Sequence, residues 1–342
     1  MTESWEFYSK ALRAMIGLGV QRAMQQIQAV SHRWTETLPT GYKAVLVERN
    51  SHFNHLYVFP RFAVVPSREH TAFVPYDGIP SFGPRGILSH VRDSVSSLTP
   101  TQVRLASGKS IDYEYLAFAT GTWQPPPSKA SLTEKAEACA ELKASQKRIQ
   151  YANHIAKVDL VHSRAQLLPK FGPRLHEHVY KAMKQLNIDV VLGERPQLSG
   201  NGVDAEPGRL SFKDGRTAKY DLPIPCTGQC PNSGLLEKFV PAAFCPTTRQ
   251  ILVRPTLQIA DPSNPNPRIF ALGDVARTND PGWHALHAPG RCRSSRWIYY
   301  GQDEKGKEVF VTGADKDENL KVQHVWEELG VKFEPTLPQN MK

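Results

Sequence analysis

Near the carboxyl end of the chain, Ile269-Phe270-Ala271-Leu272 is an apolar run that stops abruptly at Gly273-Asp274. Such a run suits a buried strand of a parallel sheet, and the carboxyl end of that strand is where α/β folds place ligands. Gly273 lets the backbone approach a ligand closely, and Asp274 accepts hydrogen bonds from a sugar hydroxyl. A capped strand-to-helix turn reads the same way, so the assignment depends on partners elsewhere in the chain.

Two partners stand upstream. Lys43-Ala-Val-Leu-Val-Glu48 is a short apolar strand ending in an acid, the arrangement that holds ribose hydroxyls in dinucleotide-binding βαβ units. Tyr113 to Thr122 is a second strand, ending in Thr120-Gly121. In this order the three strand ends resemble those of flavoproteins built from two dinucleotide folds. Three further stretches, Glu36 to Lys43, Asn50 to Arg61 and Val158 to Phe171, narrow the resemblance. They are similar to fungal members of the apoptosis-inducing-factor-like branch of FAD-dependent pyridine nucleotide oxidoreductases, across residues 36–280, with a weaker echo at Val325 to Gly330.

That resemblance implies an α/β fold of two Rossmann-like dinucleotide-binding domains, one inserted in the other, with a small C-terminal region. It implies FAD as cofactor, with Glu48, Arg61, Thr120, Gly121 and Asp274 at or near it and Val95 against the adenine. No residue takes a catalytic role: hydride transfer needs no protein acid or base, and the redox-active disulfide of related enzymes is absent.

The chain departs from the family at both phosphate sites. A dinucleotide fold needs a strand, a Gly-x-Gly-x-x-Gly loop and a helix, so that a pyrophosphate can rest against helix-terminal N–H groups. Before Glu48 the one candidate is Met15 to Arg22, which puts Arg22 at the third glycine position and reads as part of an apolar helix. The second loop is missing: no glycine occurs from Trp123 through Phe171, and Ala136 to Ile155 reads as one helix leading into the Val158 to His162 strand. Ser163-Arg164 stands where the family selects the adenosine 2′ position, which favours NADPH, yet without the loop it is a relic. Both folds therefore read as cropped. The gaps fit either a specialised protein or a gene model that has lost coding blocks.

The expected division is 1–122 with 246–290 for the FAD-binding domain, 123–245 for the cropped NAD(P)-binding-like domain and 291–342 for the C-terminal region. Within the second domain, Pro173 to Leu186 reads as a helix, Asp189 to Leu192 as a strand, and Asp214-Gly215 as a tight turn.

Charge and cysteines bound the partners. A net charge of +9, from 42 basic and 33 acidic residues, suits an anionic cofactor. The densest basic stretch, Arg291 to Arg296, lacks interleaved aromatics, so a nucleic-acid partner is not expected. Five scattered cysteines argue for a reduced protein, and Cys226 and Cys230 are too far apart for a Cys-x-x-Cys motif. His176 and His178 are two apart on a helix and cannot share a metal, so no metal site is expected. With an acidic start and no span-length apolar run, a cytoplasmic protein without a membrane span is expected. The function that follows is an FAD-dependent oxidoreductase acting on a small molecule. NAD(P)H or a substrate would reduce the flavin, and a quinone-like or secondary-metabolite acceptor would reoxidise it. The alternative is a non-catalytic remnant or binding protein on the same scaffold.

Overall fold

The computed structural model describes residues 42–81, 88–152, 158–169, 173–198, 207–226, 228–261, 267–278, 297–302, 308–312 and 322–336. The Met15 to Arg22 glycine pair and the basic Arg291 to Arg296 stretch lie outside them.

The first strand, β1 (Ala44–Glu48), pairs in parallel with β4 (Leu88–Arg92), from Ala44 opposite Leu88 to Glu48 opposite Arg92. Between them, β2 (His52–Asn54) and β3 (Phe73–Pro75) form a short antiparallel pair, with the single helical turn α1 (Phe59–Phe62) in their connection. A meander of β5 (Val95–Leu98), β6 (Gln102–Leu105) and β7 (Ser110–Asp112) follows. The expected Thr-Gly strand is β8 (Leu116–Phe118), and it leads into β9 (Thr122–Trp123).

Helix α2 (Lys135–Tyr151) is the long helix expected from the glycine-free stretch. Ala138, Cys139, Leu142, Ser145 and Gln146 recur at three- and four-residue spacing and form its buried face. Its first free N–H is capped from a distance, because Lys135 N donates to Ser51 Oγ at 2.9 Å.

Strand β10 (Val158–His162), helix α3 (Pro173–Gln185) and β11 (Ile188–Leu192) make a βαβ unit whose two strands are parallel. Asn187 ends α3 in the left-handed region at φ 58°, a conformation asparagine tolerates at helix ends. Strands β12 (Gln197–Leu198), β13 (Gly208–Ser211) and β14 (Thr217–Tyr220) form an antiparallel sheet. The turn between β13 and β14 is the expected Asp214-Gly215, with Gly215 at φ 82° and Arg216 N donating to Asp214 Oδ1 at 3.0 Å.

The chain then returns. β15 (Cys230–Pro231) pairs antiparallel with β9, and the single turn α4 (Gly234–Glu237) follows. β16 (Ile251–Val253) pairs in parallel with β18 (Ala276–Thr278), while β17 (Ile269–Ala271) pairs in parallel with β8. β19 (Trp297–Gln302) and β20 (Glu308–Thr312) form an antiparallel pair, and α5 (Val322–Glu328) ends the described elements.

Three buried clusters organise these elements. The first joins Phe53, Phe59, Phe62, Phe73 and Leu88 to Ala138, Cys139 and Leu142 of α2 and to Val322, Trp326 and Leu329 of the C-terminal segment. The second surrounds β8, β16, β17 and β18, with Phe118, Ile251, Ile269 and Val275 at its centre. The third, smaller one is Leu167, Met183 and Ile188, with Leu160, Val179 and Val190 packed against it.

The C-terminal segment meets the first cluster without slack. A methyl at Gly78 would overlap the carbonyl oxygen of Leu329 and lie 2.6 Å from that of Gly330.

Candidate functional site

Parallel pairing brings two acids to strand carboxyl ends. Glu48 closes β1, where Asn50 N donates to its Oε1 at 2.9 Å. Burial raises the Glu48 carboxyl above the ordinary carboxylate range, opposed by the Asn50 N–H and by the charges of Lys129 and Arg49. Asp274 lies just past β17, in a 3-10 turn spanning Gly273–Val275, with Gly273 at φ 75°. The turn is seated by the second cluster: Val275 is fully buried, and Leu272 N donates to Phe118 O at 2.8 Å.

Lys129 joins the two acids, and sequence reasoning passed it over. Burial lowers its ammonium pKa, Glu48 and Asp274 pull it up, and Arg49 pushes it down. Its Nζ donates to Thr122 O at 3.1 Å. Lys129 is thus a partly buried cation whose charge is felt by both acids. The signal available was a lysine eight residues past the Thr-Gly turn, at the end of Pro125-Pro126-Pro127-Ser128-Lys129.

Thr120 and Gly121 are used to cross between the two halves. Thr120 Oγ1 donates to Asn232 O at 2.8 Å, Asn232 Nδ2 donates to Thr120 O at 2.9 Å, and Asn232 N donates to Gly121 O at 3.0 Å. Asn232, just past β15, thus ties the returning chain to the Thr120-Gly121 turn. Gly121 takes φ 61°, and a Cβ built on it would meet nothing within 4 Å, so open space lies over the turn that Lys129 reaches.

Val95 begins β5, two residues past Asp93, whose N–H donates to Glu48 O at 3.2 Å. Chain connectivity therefore holds Val95 near the Glu48 end. Arg61 lies half-buried on α1 between Phe59 and Phe62, and its carbonyl accepts the Val64 and Val65 N–H groups. Lys129 donates to Thr122 O beside Thr120 and Gly121, and its charge acts on Glu48 and Asp274, whereas Arg61 is placed by the first core.

These residues fit a dinucleotide in charge and shape. Two carboxylates can accept from sugar hydroxyls, a partly buried cation can offset phosphate charge, and an open glycine turn can admit close backbone approach. Glycine loops of the pyrophosphate kind do not occur among the described residues. In the second fold, Ser163 and Arg164 are exposed just past β10, where Arg164 O accepts the Gly193 N–H at 3.0 Å. Among the described residues, no cluster of three His, Cys, Asp or Glu is placed to hold a metal ion. No helix among them is long and apolar enough to cross a membrane.

Residues 133–291 match the family model described as pyridine nucleotide-disulphide oxidoreductase. The chain is 31% identical over 283 residues to Fe-regulated protein 8 of Mycosarcoma maydis, covering 70% of this chain and 69% of that protein. It is 25% identical over 189 residues to apoptosis-inducing factor homolog B of Dictyostelium discoideum, spanning about half the length of each (46% and 48%). Among solved structures, the water-forming NADH oxidase of Lactobacillus brevis superposes with a TM-score of 0.52 at 16% identity, covering 92% of this chain and 68% of that one. At that identity the superposition speaks for the two-domain Rossmann-like fold alone.

Proposed function

This chain belongs to the FAD-dependent pyridine nucleotide oxidoreductases, in their apoptosis-inducing-factor-like branch, and from that premise we propose that NAD(P)H or a substrate reduces its flavin and that a quinone-like or secondary-metabolite acceptor reoxidises it. The observation that carries the reading is that parallel strands end at Glu48 and just before Asp274, with Lys129 donating to Thr122 O beside the Thr120-Gly121 turn. When bound, FAD supplies the two-electron relay between donor and acceptor. The chain's own residues bind and orient. In this proposal Glu48 accepts from the adenosine ribose, Asp274 from the ribityl chain, and Lys129 offsets the pyrophosphate charge that a glycine loop would otherwise meet. Thr120 and Gly121 let the backbone come close, with Val95 against the adenine and Arg61 on the same side. The division into 1–122 with 246–290, 123–245, and 291–342 is part of the same proposal, with α2 and the C-terminal segment packed into the first cluster across its boundaries. The unpaired cysteines among the described residues support a reducing, cytoplasmic setting.

The experiment is a flavin titration of the purified chain, followed by fluorescence, with three variants. Asp274→Ala removes hydrogen bonds to a buried hydroxyl and is expected to weaken FAD binding by about 1–3 kcal/mol. Lys129→Met removes a charge-assisted contact of similar worth, whereas Arg164→Ala, on the other fold, leaves FAD binding unchanged. Equal flavin retention by Asp274→Ala and Arg164→Ala would remove the strand-end assignment.

One observation favours a second reading, a scaffold that no longer turns over. The stretch from Trp123 to Phe171 has no glycine, and among the described residues β10 has only β11 beside it. NADH and NADPH are therefore both expected to bind poorly, since neither finds N–H donors for its pyrophosphate. Calorimetric titration with each nucleotide tests this, and micromolar affinity for either would overturn it. A yellow protein bleached by NADPH supports the oxidoreductase; a colourless folded one supports the remnant.

A further inference from the structure

The turn that carries Asp274 is a single 3-10 turn between two strands, and an isolated turn of this length has no cooperative helix behind it. Leu272 before it and Ala276 after it are both extended, and the Ala276 N–H closes the turn on Gly273 O. β17 is fastened to β8 on one side and β18 to β16 on the other. Beside the core that seats the turn, a further hold on it comes from the loop that precedes β16.

That loop runs from Cys245 to Gln250. Cys245 N donates to Gln250 O at 2.9 Å, and Arg249 N donates to Cys245 O at 2.8 Å with Arg249 at φ 58°. Ser233 Oγ fixes it from α4's amino end by donating to Arg249 O at 2.7 Å. The folded-back loop delivers Gln250 directly beside the Gly273–Val275 turn, one residue before Ile251 pairs with Ala276. From there one side-chain nitrogen serves two carbonyls: Gln250 Nε2 donates to Asp274 O at 3.1 Å and to Ala276 O at 3.3 Å. A glutamine amide carries two N–H donors in one plane, which is what two carbonyls two residues apart require. A second link, from the Arg277 guanidinium to Cys245 Sγ, ties the same loop to the strand after the turn. The loop therefore stays in place when the glutamine's donors are removed.

We propose that Gln250 is a positioning residue that fixes the peptide planes following Asp274 and Ala276 and thereby aims the Asp274 carboxylate at the ribityl hydroxyls of FAD. This rests on the assignment of FAD to the Asp274 turn. Gln250 spends its amide donors on the Asp274 and Ala276 carbonyls, so in this role it acts by removing rotational freedom from the residue that meets the flavin.

The test uses the full chain loaded with FAD and compares Gln250→Met, Gln250→Lys and Asp274→Ala with the parent. Methionine keeps the length and packing of glutamine without its donors. Gln250→Met is expected to weaken FAD binding by about tenfold, the worth of one to two neutral hydrogen bonds. The visible circular dichroism of the flavin that remains bound shifts with it, while the melting temperature of the flavin-free chain stays close to the parent's. Gln250→Lys, whose ammonium reaches the same carbonyls, recovers most of the affinity; a packing role would instead be met by methionine and not by lysine. Parental affinity and parental dichroism in Gln250→Met, alongside flavin loss in Asp274→Ala, would overturn the positioning role and leave the FAD assignment standing. Parental affinity in Asp274→Ala would instead remove the FAD assignment, and the role of Gln250 with it.

Discussion

Trp326→Ala is expected to destabilise the chain by about 3–5 kcal/mol, the usual cost of truncating a fully buried tryptophan. The indole is 1% exposed and lies in the first cluster with Val322 and Leu329. Its Nε1 donates to Thr71 O at 3.0 Å, Phe333 meets it edge-on with ring centroids 5.7 Å apart, and Lys135 Nζ sits 4.6 Å above its ring. Truncation opens a cavity, leaves the Thr71 carbonyl without this donor and removes the cation–π partner of the first residue of α2. Trp326→Phe separates these terms. It keeps most of the packing and loses the N–H, so a loss of about 1–2 kcal/mol is expected. Gly78→Ala approaches the same contact from the other side, because its methyl has no room against the Leu329 carbonyl. Urea unfolding of the three variants gives the comparison. An unchanged midpoint for Trp326→Ala would mean that the C-terminal segment contributes nothing to the N-terminal core.

The strands that carry the site were legible because each is a largely apolar run ending at a polar or glycine residue. Ala44–Glu48, Leu116–Phe118, Val158–His162 and Ile269–Ala271 stand where their patterns put them, and each pairs in parallel. Asp214-Gly215 was equally legible, since few dipeptides accept the backbone that Gly215 adopts. Contacts made across long sequence distances were not legible. The one local mark of Lys129 is its place after the Pro-rich stretch, and its action on both Glu48 and Asp274 depends on residues far from it in the chain. Gln250 looks like an ordinary polar residue before a strand, and its role exists only because β16 lies beside β18. The buried face of α2 was also hidden. Cys139 and Gln146 read as unremarkable positions on a charged helix, yet Gln146 Nε2 donates to the Phe62 and Val65 carbonyls and pins that helix against the first core. The weaker echo at Val325 to Gly330 pointed correctly to a structured C-terminal segment, but not to the surface it covers.

That same core sets an acid limit on the fold. Burial pushes the His52 and His55 imidazoles down to about 4, and it lowers His70 and His90 as well. The neighbours of these rings do not all act alike. Asn54 favours the charged form of His52 while Lys135 and Arg92 oppose it; the Glu334 carbonyl and Glu69 favour charged His70 while Lys135 opposes it; Asp77 favours charged His90 while Arg92 opposes it. Burial outweighs them, so each ring is held neutral in the folded chain. A histidine whose folded pKa is depressed costs nothing above its unfolded pKa of about 6.5. As pH falls below that value the unfolded chain takes up the proton and the folded chain does not, so stability declines until the folded pKa is reached. His52 and His55 together are expected to remove on the order of 4 kcal/mol between pH 7.5 and pH 5, about 2 kcal/mol each. Glu48 works against this trend, because its raised carboxyl binds a proton in the folded chain first. It is one group against several, so the net slope remains destabilising. Urea unfolding at pH 7.5, 6 and 5 measures the slope, and His52→Gln combined with His55→Gln, which cannot titrate, is expected to flatten most of it. A parental profile that is level from pH 7.5 to 5, or a double variant as steep as the parent, would show that these two rings are not held neutral in the core.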